Sequence, residues 1–155
     1  MTTGSINTMK EQSLSIVKEF YQSLSKLDAD KLLSLMAEDI VVNISGSTPI
    51  SGQLTRAQLI DVVFPRLFGN LDLEEFRFCT RVKIMCAENE FVTAIMEAEG
   101  PSKNGKMYNQ RYCHIFRCVD GKVQILWEFF DSDLVRSCLY DGNYDEESPF
   151  SSFEF

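Results

Sequence analysis

The chain has 155 residues, of which 45% are hydrophobic and 25% are charged, which is the ordinary balance of one globular domain. Its formal charge of -8 and isoelectric point near 4.7 argue against nucleic acid or an anionic membrane surface as a partner, because both repel an acidic protein. The sequence has neither a long apolar run nor the apolar core of a signal peptide near residue 1, so we expect a cytoplasmic protein that does not enter a membrane.

Cysteine and histidine usage favours a reduced protein without a metal centre. The five cysteines are odd in number, form no CxxC pair and lie mostly among apolar residues, so we interpret them as reduced thiols. One histidine and scattered thiols give no ligand spacing for a metal. We therefore expect no metal and no cofactor.

The first elements of the chain are predicted to be two helices. Apolar residues recur at spacings of three and four, which is typical of an amphipathic helix: Leu14, Val17, Tyr21, Leu24 and Leu27. Asp30 can cap a second, short helix that runs to Met36, because its carboxylate can accept the free backbone donors of the first turn.

A strand, a loop and a third helix are predicted next. Residues 40–44 favour a strand, and the glycines and proline of 46–52 indicate a turn-rich loop. Thr55 is predicted to cap the third helix, which ends near 65–69. The residues expected to face inward from this helix are Leu59, Val62 and Val63.

The second half of the chain is predicted to be extended. Four apolar stretches are separated by short polar breaks, and the Asp120-Gly121 pair indicates a tight hairpin because both residues tolerate a positive φ. Three N-terminal helices followed by antiparallel strands predict an α+β fold, with the helices on one face of a strongly curved sheet and an internal pocket at its open end. The predicted strands are 76–86, 91–99, 107–119 and 122–130.

Three segments are expected along the chain. Residues 1–12 are predicted to be flexible, 13–139 to form the domain, and 140–155 to be an acidic, solvated tail. Both faces of the last predicted hairpin are largely apolar. We expect one face to line the pocket and the other to form a homodimer interface, unless the tail folds over that second face. The tail could also be free, or lie across the pocket mouth through Phe150, Phe153 and Phe155.

Three parts of the sequence resemble the nuclear transport factor two-like superfamily, in its SnoaL-like and ketosteroid-isomerase-like branch. They are the segment 35–43, the loop 46–52 and the closing hairpin 116–131, and the resemblance extends over 13–139. It implies a cone-shaped half-barrel with a deep apolar pocket for a small apolar ligand, a homodimer and no obligatory cofactor. It is diagnostic of fold more than of reaction.

Two branches of the superfamily fit the site residues only in part. Alignment with ketosteroid isomerase puts Asn43 at the base, His114 at the protonated aspartic acid and Phe20 at the tyrosine. An asparagine takes no proton at neutral pH, so that mechanism needs Glu97 or Glu128 as a substitute base. Limonene epoxide hydrolase is matched at Asn43 and Glu128, whereas Val41 and Ile95 stand near its tyrosine and arginine.

The best match is to the SnoaL-type cyclases, which carry a histidine and an acid on the last two strands. Folding the hairpin about Gly121 sets His114 opposite Glu128, and a carboxylate beside an imidazole holds its tautomer for general acid or base chemistry. Each residue also has a structural interpretation: His114 as a satisfied core residue, Glu128 as a rim acid paired with an arginine, and Asn43 as a backbone hydrogen-bonding residue.

The sequence thus supports the hypothesis of a cofactor-independent isomerase, cyclase or hydrolase. Its substrate would be a small apolar carbonyl or epoxide compound, with His114 and Glu128 as acid and base and Asn43 orienting the substrate or a water. The alternative is a non-catalytic ligand-binding or dimerisation module of the same fold. The residues predicted to bind the substrate are Tyr21, Met36, Glu97, Tyr112, Phe116, Leu126 and Phe130.

Overall fold

The computed structural model describes residues 3–155, with side chains from Thr8 onward. The helices are α1 (Thr3–Ser25), α2 (Ala29–Ser34), α3 (Arg56–Gln58), α4 (Phe64–Asn70) and α5 (Ser132–Leu139), and a π-helical turn (Leu59–Val63) joins α3 to α4. The strands are β1 (Met36–Ile44), β2 (Gly52–Thr55), β3 (Arg77–Glu88), β4 (Phe91–Glu99), β5 (Gln110–Val119) and β6 (Lys122–Phe129). Helices pack on a curved, unclosed sheet, and the predicted α+β half-barrel is confirmed.

The sheet brings the end of the chain next to its beginning. The strand order is β2-β1-β6-β5-β4-β3. Strand β1 runs parallel to β6, and every other neighbouring pair is antiparallel. Successive side chains of a strand point to opposite faces, so each strand supplies residues to an inner face under the helices and to an outer face. The core lies between the helices and the inner face.

Helix α1 begins earlier than the apolar stripe predicts. Its helical backbone starts at Thr3 and includes polar turns that carry no hydrophobic periodicity, so the helix extends into the segment predicted to be flexible. Met1 and Thr2 lie outside the described residues. The division of the chain into 1–12, 13–139 and 140–155 stays a prediction.

The second helix is capped by a different aspartate from the one predicted. The Asp28 carboxylate accepts the backbone N–H of Lys31 at 3.0 Å, and Asp30 lies inside the first turn. Leu27 has a left-handed φ of 54°, which ends α1 and places Asp28 at the cap. Helix α2 stops at Ser34, so Met36 opens β1 and the strand starts four residues before the predicted position.

The predicted cap of the third helix is confirmed, but one of its inward residues is wrong. Thr55 and Gln58 form a reciprocal capping box. Leu59 and Val63 are buried, whereas Val62 is 40% exposed. The wider π-helical turn changes which side chains face the core, and helical backbone continues through Pro65 to Asn70.

The acidic tail contacts the rest of the protein through its backbone, whereas its acidic residues Asp141, Asp145, Glu146 and Glu147 are exposed. The buried Arg136 of α5 donates to the carbonyl oxygens of Asn143 and Glu146, and also to that of Ser47. Further along, Ser151 pairs with Gln53 on β2. Helix α5 and strand β2 are not predicted from the sequence, because both are short, and only Gly52 of β2 lies in the predicted loop.

The last residues of the chain lie on the outer face of the sheet. The Trp127 indole donates to the Glu154 carbonyl at 2.9 Å, and the Phe153 ring lies 5.7 Å from that of Phe129. The tail therefore folds over the second apolar face rather than across the pocket mouth. In the described part of the chain, no helix is both long and apolar enough to cross a membrane.

Candidate active site

The hairpin of β5 and β6 places the single histidine beside a glutamate on the inner face. His114 and Glu128 are cross-strand partners, and His114 Nε2 lies 2.8 Å from Glu128 Oε2. The imidazole is 2% exposed, and the glutamate side chain is 21% exposed. The predicted pairing thus exists, and it lies inside the protein rather than on a solvated rim.

Tyr21 of α1 holds the other ring nitrogen of the histidine. Its Oη lies 2.8 Å from His114 Nδ1. Burial raises the pKa of the Tyr21 hydroxyl well above its ordinary value, with smaller contributions from Cys79 and Glu128, so the hydroxyl keeps its proton. Donation of that proton to Nδ1 satisfies the buried hydroxyl and leaves the proton of a neutral imidazole on Nε2, from which it is donated to Glu128.

Two further tyrosines extend the polar part of the inner face. Tyr112 stacks on the His114 ring at 5.4 Å between centroids, and its hydroxyl lies 3.1 Å from that of Tyr108. Burial raises the pKa of both phenols, and the Glu128 charge adds to the effect. Both tyrosines therefore stay protonated at neutral pH and are hydrogen-bond donors.

These polar groups face a narrow cavity of about 70 Å³ between the sheet and the helices. Apart from them, its wall is made of aliphatic, aromatic and methionine side chains. Of the residues predicted to contact a substrate, four line this cavity: Met36, Tyr112, Leu126 and Phe130. Tyr21 and Phe116 instead lie beside His114, where Phe116 contacts the imidazole edge-on at 5.6 Å.

Asn43 does not face the cavity, which corrects the prediction that it orients a substrate or a water. Its β1 neighbours Val42 and Ile44 line the cavity, so the alternation of the strand turns Asn43 to the outer face. There its Oδ1 accepts the Gln53 side-chain amide at 3.3 Å and the Glu154 backbone N–H at 3.2 Å. Asn43 is a structural residue that anchors the tail.

Glu97 is also on the outer face, which corrects its assignment to the substrate-binding residues. Its carboxylate accepts hydrogen bonds from Arg81 at 2.8 Å and from Arg111 at 2.9 Å. These two bonds, that from Arg111 first, lower the pKa of Glu97 below its ordinary value. The neighbouring β4 residue Met96 faces the cavity instead.

Tyr108, the partner of Tyr112, is not among the site residues predicted from the sequence. It lies just before β5, which begins at Gln110 and not near residue 107 as predicted. The side chains of the even-numbered residues Tyr108, Tyr112 and His114 lie on the same face. This period of two in the sequence could have identified Tyr108 as a site residue. Among residues 3–155, no group of three or more metal-ligating side chains lies close enough to hold an ion.

Comparisons with known proteins place the chain in a family. Among curated protein sequences, none matches it. One similar structure is an NTF2-like protein from Burkholderia xenovorans LB400, with 20% identity, 84% of this chain and 97% of that chain covered, and a TM-score of 0.67. Another is a Bacillus subtilis protein proposed to be an isomerase, with 15% identity, 86% and 96% covered, and a TM-score of 0.67.

A third similar structure is a protein from Xanthomonas campestris pv. campestris that is proposed to be a polyketide cyclase. It has 15% identity, 84% of this chain and 98% of that chain covered, and a TM-score of 0.64. At these identities the structural likeness shows a shared fold. The sequence profile of the SnoaL-like domain matches residues 17–125, more than half of the chain, and the protein therefore belongs to the SnoaL-like family.

Proposed function

We propose that the protein is a cofactor-independent isomerase or cyclase that enolises a small apolar carbonyl compound. The observation that carries this proposal is the hydrogen-bonded chain from Tyr21 through His114 to Glu128, which ends at the wall of an apolar cavity. A carboxylate fixed in this way is suited to general base chemistry.

Glu128 is the group that removes the proton. Both ring nitrogens of His114 are engaged, so the imidazole orients the carboxylate rather than contacting a substrate. Within residues 3–155, no hydrogen bond to Glu128 Oε1 is present, and the residue lines the cavity. This refines the hypothesis drawn from sequence: Glu128 is the catalytic residue, and His114 and Tyr21 are positioning residues.

The Tyr108–Tyr112 pair supplies the second half of the reaction. One hydroxyl donates to the other, which leaves one O–H of the pair to donate to a ligand oxygen. When Glu128 takes a proton from the carbon next to a carbonyl, the electron pair moves onto the carbonyl oxygen, and this donor stabilises the enolate. In a substrate with a double bond next to that carbon, return of the proton to the far end of the conjugated enolate completes an isomerisation. Alternatively, attack of the enolate carbon on a second carbonyl closes a ring, and protonated Glu128 returns the proton to the alkoxide that forms.

Epoxide hydrolysis, the other reaction suggested by the sequence, has less support. In the branch that resembles this chain, the asparagine of the first strand belongs to the site, but here Asn43 is bonded to the tail on the outer face. A hydrolase also needs a held water, and the cavity wall is almost wholly apolar. Enolisation needs only the base and the donor that the inner face provides.

The experiment is exchange of carbon-bound protons in D₂O. Cyclopentanone, cyclohexanone and methyl propyl ketone are incubated with the protein, and deuterium uptake next to the carbonyl is followed by NMR. We expect uptake above the buffer rate, and a loss on the order of 100-fold or more in Glu128→Gln, since a positioned base contributes at least that much.

Glu97→Gln is the matched control, because it makes the same change on the outer face. It should exchange like the unmodified protein, and circular dichroism should show that both variants are folded. Equal exchange by Glu128→Gln, or no exchange of any ketone by the unmodified protein, would contradict the proposal.

A non-catalytic ligand-binding module is the second candidate, favoured by the small size of the cavity. It shares the apolar site but not the proton transfer. Saturable ketone binding without deuterium uptake would assign the protein to this class. The proposed cytoplasmic location suits either function and agrees with the five free cysteines of the described chain.

The homodimer belongs to the proposal too, with its interface narrowed by the tail. The tail covers the β1 and β6 side of the outer face, and exposed Phe91 and Ile95 remain on β4. The ion pairs of Glu90 and Glu97 with arginines give this apolar patch a polar rim, as protein interfaces have. Light scattering should give a dimer mass, and Ile95→Lys should give a monomer; a monomeric unmodified protein would contradict it.

A further inference from the structure

A second hollow opens beside the cavity, on the side of the helices. It has a volume of about 260 Å³, and all seven of its lining residues are apolar. Four of the seven also line the inner cavity, so the two spaces share a wall: Leu24, Leu32, Phe64 and Phe68. The outer hollow is completed by Leu27, Ala29 and Leu73.

Two aromatic rings of α4 stand between the spaces. Phe64 and Phe68 lie 5.4 Å apart, and both are only partly buried. They are side chains at a helix surface rather than backbone, so rotation about their side-chain bonds opens a passage without unfolding.

The backbone of the outer hollow carries an unusual apolar residue. Leu27 is 41% exposed and has a φ of 54°, a left-handed conformation that leucine rarely adopts and that asparagine tolerates well. An exposed leucine in this conformation does not stabilise the turn. Its side chain does extend the apolar wall next to Leu73, which is also exposed.

We infer that the protein binds an elongated molecule with one oxygen-bearing end, whose apolar chain runs from the inner cavity past Phe64 and Phe68 into the outer hollow. The oxygen accepts a hydrogen bond from the tyrosine pair, and the neighbouring carbon lies at Glu128; among the described residues, these and His114 are the polar side chains of the inner wall. The inner cavity alone is too small for such a chain, and the outer hollow has no polar side chain to hold the oxygen. The inference rests on the proposed function for the position of the carbonyl end.

The test is a series of methyl ketones of rising chain length: acetone, methyl propyl ketone, methyl hexyl ketone and methyl nonyl ketone. Dissociation constants are measured by calorimetry, and the signals of His114, the single histidine, report whether the oxygen end is bound. We expect each added methylene group to lower Kd about fourfold and the trend to continue to the longest member. A plateau or a loss of binding beyond methyl propyl ketone would overturn the inference.

Leu27→Asn removes one wall of the outer hollow and suits the left-handed backbone, so the variant should be at least as stable as the unmodified protein. It should weaken methyl nonyl ketone binding about tenfold, the value of one to two methylene groups, and leave methyl propyl ketone within twofold. Leu73→Asp, with a charge at the rim, should weaken the long ketone further.

Val62→Asn is the matched control, since Val62 is equally exposed but lines neither space. It should bind both ketones like the unmodified protein. If all three variants bind the long ketone equally, the outer hollow is not used. Chain-length-dependent binding without deuterium exchange would refute the proposed function but support this inference, and exchange of short ketones without a chain-length trend would do the reverse.

Discussion

A glutamate on the inner face of the sheet has different surroundings from a glutamate on the outer face. On the inner face, Glu128 is hydrogen-bonded to His114 and lines an apolar cavity. On the outer face, Glu97 is bonded to two exposed arginines. Two arginines stabilise the charged form of Glu97 and make it a weaker base, whereas Glu128 has no cation beside it among the ion pairs of the described residues except His114. The proposed role of Glu128 therefore depends on the face of the sheet on which it lies, and not on the residue type alone.

The largest contrast expected between the faces is in packing. Phe116 is fully buried against Phe20, Tyr21 and His114, whereas Phe129 on the outer face is partly exposed beneath the tail. Phe116→Ala should lower the free energy of unfolding by about 3–5 kcal/mol, the usual cost of such a cavity. Phe129→Ala, measured in the same denaturant titration, should cost clearly less; equal losses would show that the tail builds a second core.

The next effect concerns the buried hydroxyl that holds His114. Tyr21→Phe leaves the Nδ1 atom of the imidazole without its donor, and we expect a loss of about 1–3 kcal/mol in the free energy of unfolding. Deuterium exchange should fall as well, through the misplaced Glu128. Unchanged stability and exchange would remove Tyr21 from the positioning chain.

The same tyrosines make the free energy of unfolding depend on pH in the alkaline range. Burial raises the pKa of Tyr21, Tyr108 and Tyr112 above the ordinary value of 10.0, so the folded protein keeps protons that the unfolded chain loses. Their contribution is complete below about pH 10 and is lost as the pH rises further. The free energy of unfolding should therefore fall above pH 10, less steeply in Tyr21→Phe, and a flat profile would contradict this.

A smaller effect is expected from removal of residues 150–155. Trp127, the single tryptophan, would lose its hydrogen bond to Glu154 and become more exposed, so its fluorescence should shift to longer wavelength. Ketone binding should be unchanged, because the tail lies on the outer face and not at the cavity. Weaker ketone binding by the shortened chain would mean that the two faces are coupled.

The smallest effect should follow Glu97→Gln. Exposed ion pairs contribute little to stability, so the unfolding midpoint at neutral pH should change only slightly. The pKa of Glu97 is held below its ordinary value of 4.5, and the small contribution of the ion pairs is lost as the pH falls below it. Unfolding curves at neutral and acidic pH check this, and a large change at neutral pH would indicate a buried role for Glu97.

The sequence predicts those features that depend on local patterns. The Asp120-Gly121 turn is encoded locally and sets Val119 opposite Lys122. Counting residues back from that turn would place His114 opposite Trp127, and a β-bulge between Arg117 and Cys118, with one extra residue on β6, shifts the pairing to Glu128. The Thr55 cap is as local as the turn. The turn and the cap could be read from single segments of the chain, whereas the register of the site pair depends on the bulge.

The errors arise where distant segments decide the outcome. Asn43 faces outward because β1 pairs with β6 in one register and because the tail returns to bond it, and neither is encoded near residue 43. Tyr21 binds the imidazole across 93 positions of the chain, which only the packing of α1 on the sheet determines. The helix cap at Asp28 rather than Asp30 depended on a single left-handed residue.

The proposed reaction depends on a Tyr21–His114–Glu128 chain that holds a neutral imidazole with its proton on Nε2. Because His114 is the single histidine, one long-range ¹H–¹⁵N correlation spectrum of the labelled protein at neutral pH assigns its tautomer without ambiguity. We expect a protonated Nε2 and an unprotonated Nδ1. A proton on Nδ1, or two equivalent nitrogens in fast exchange with solvent, would contradict it.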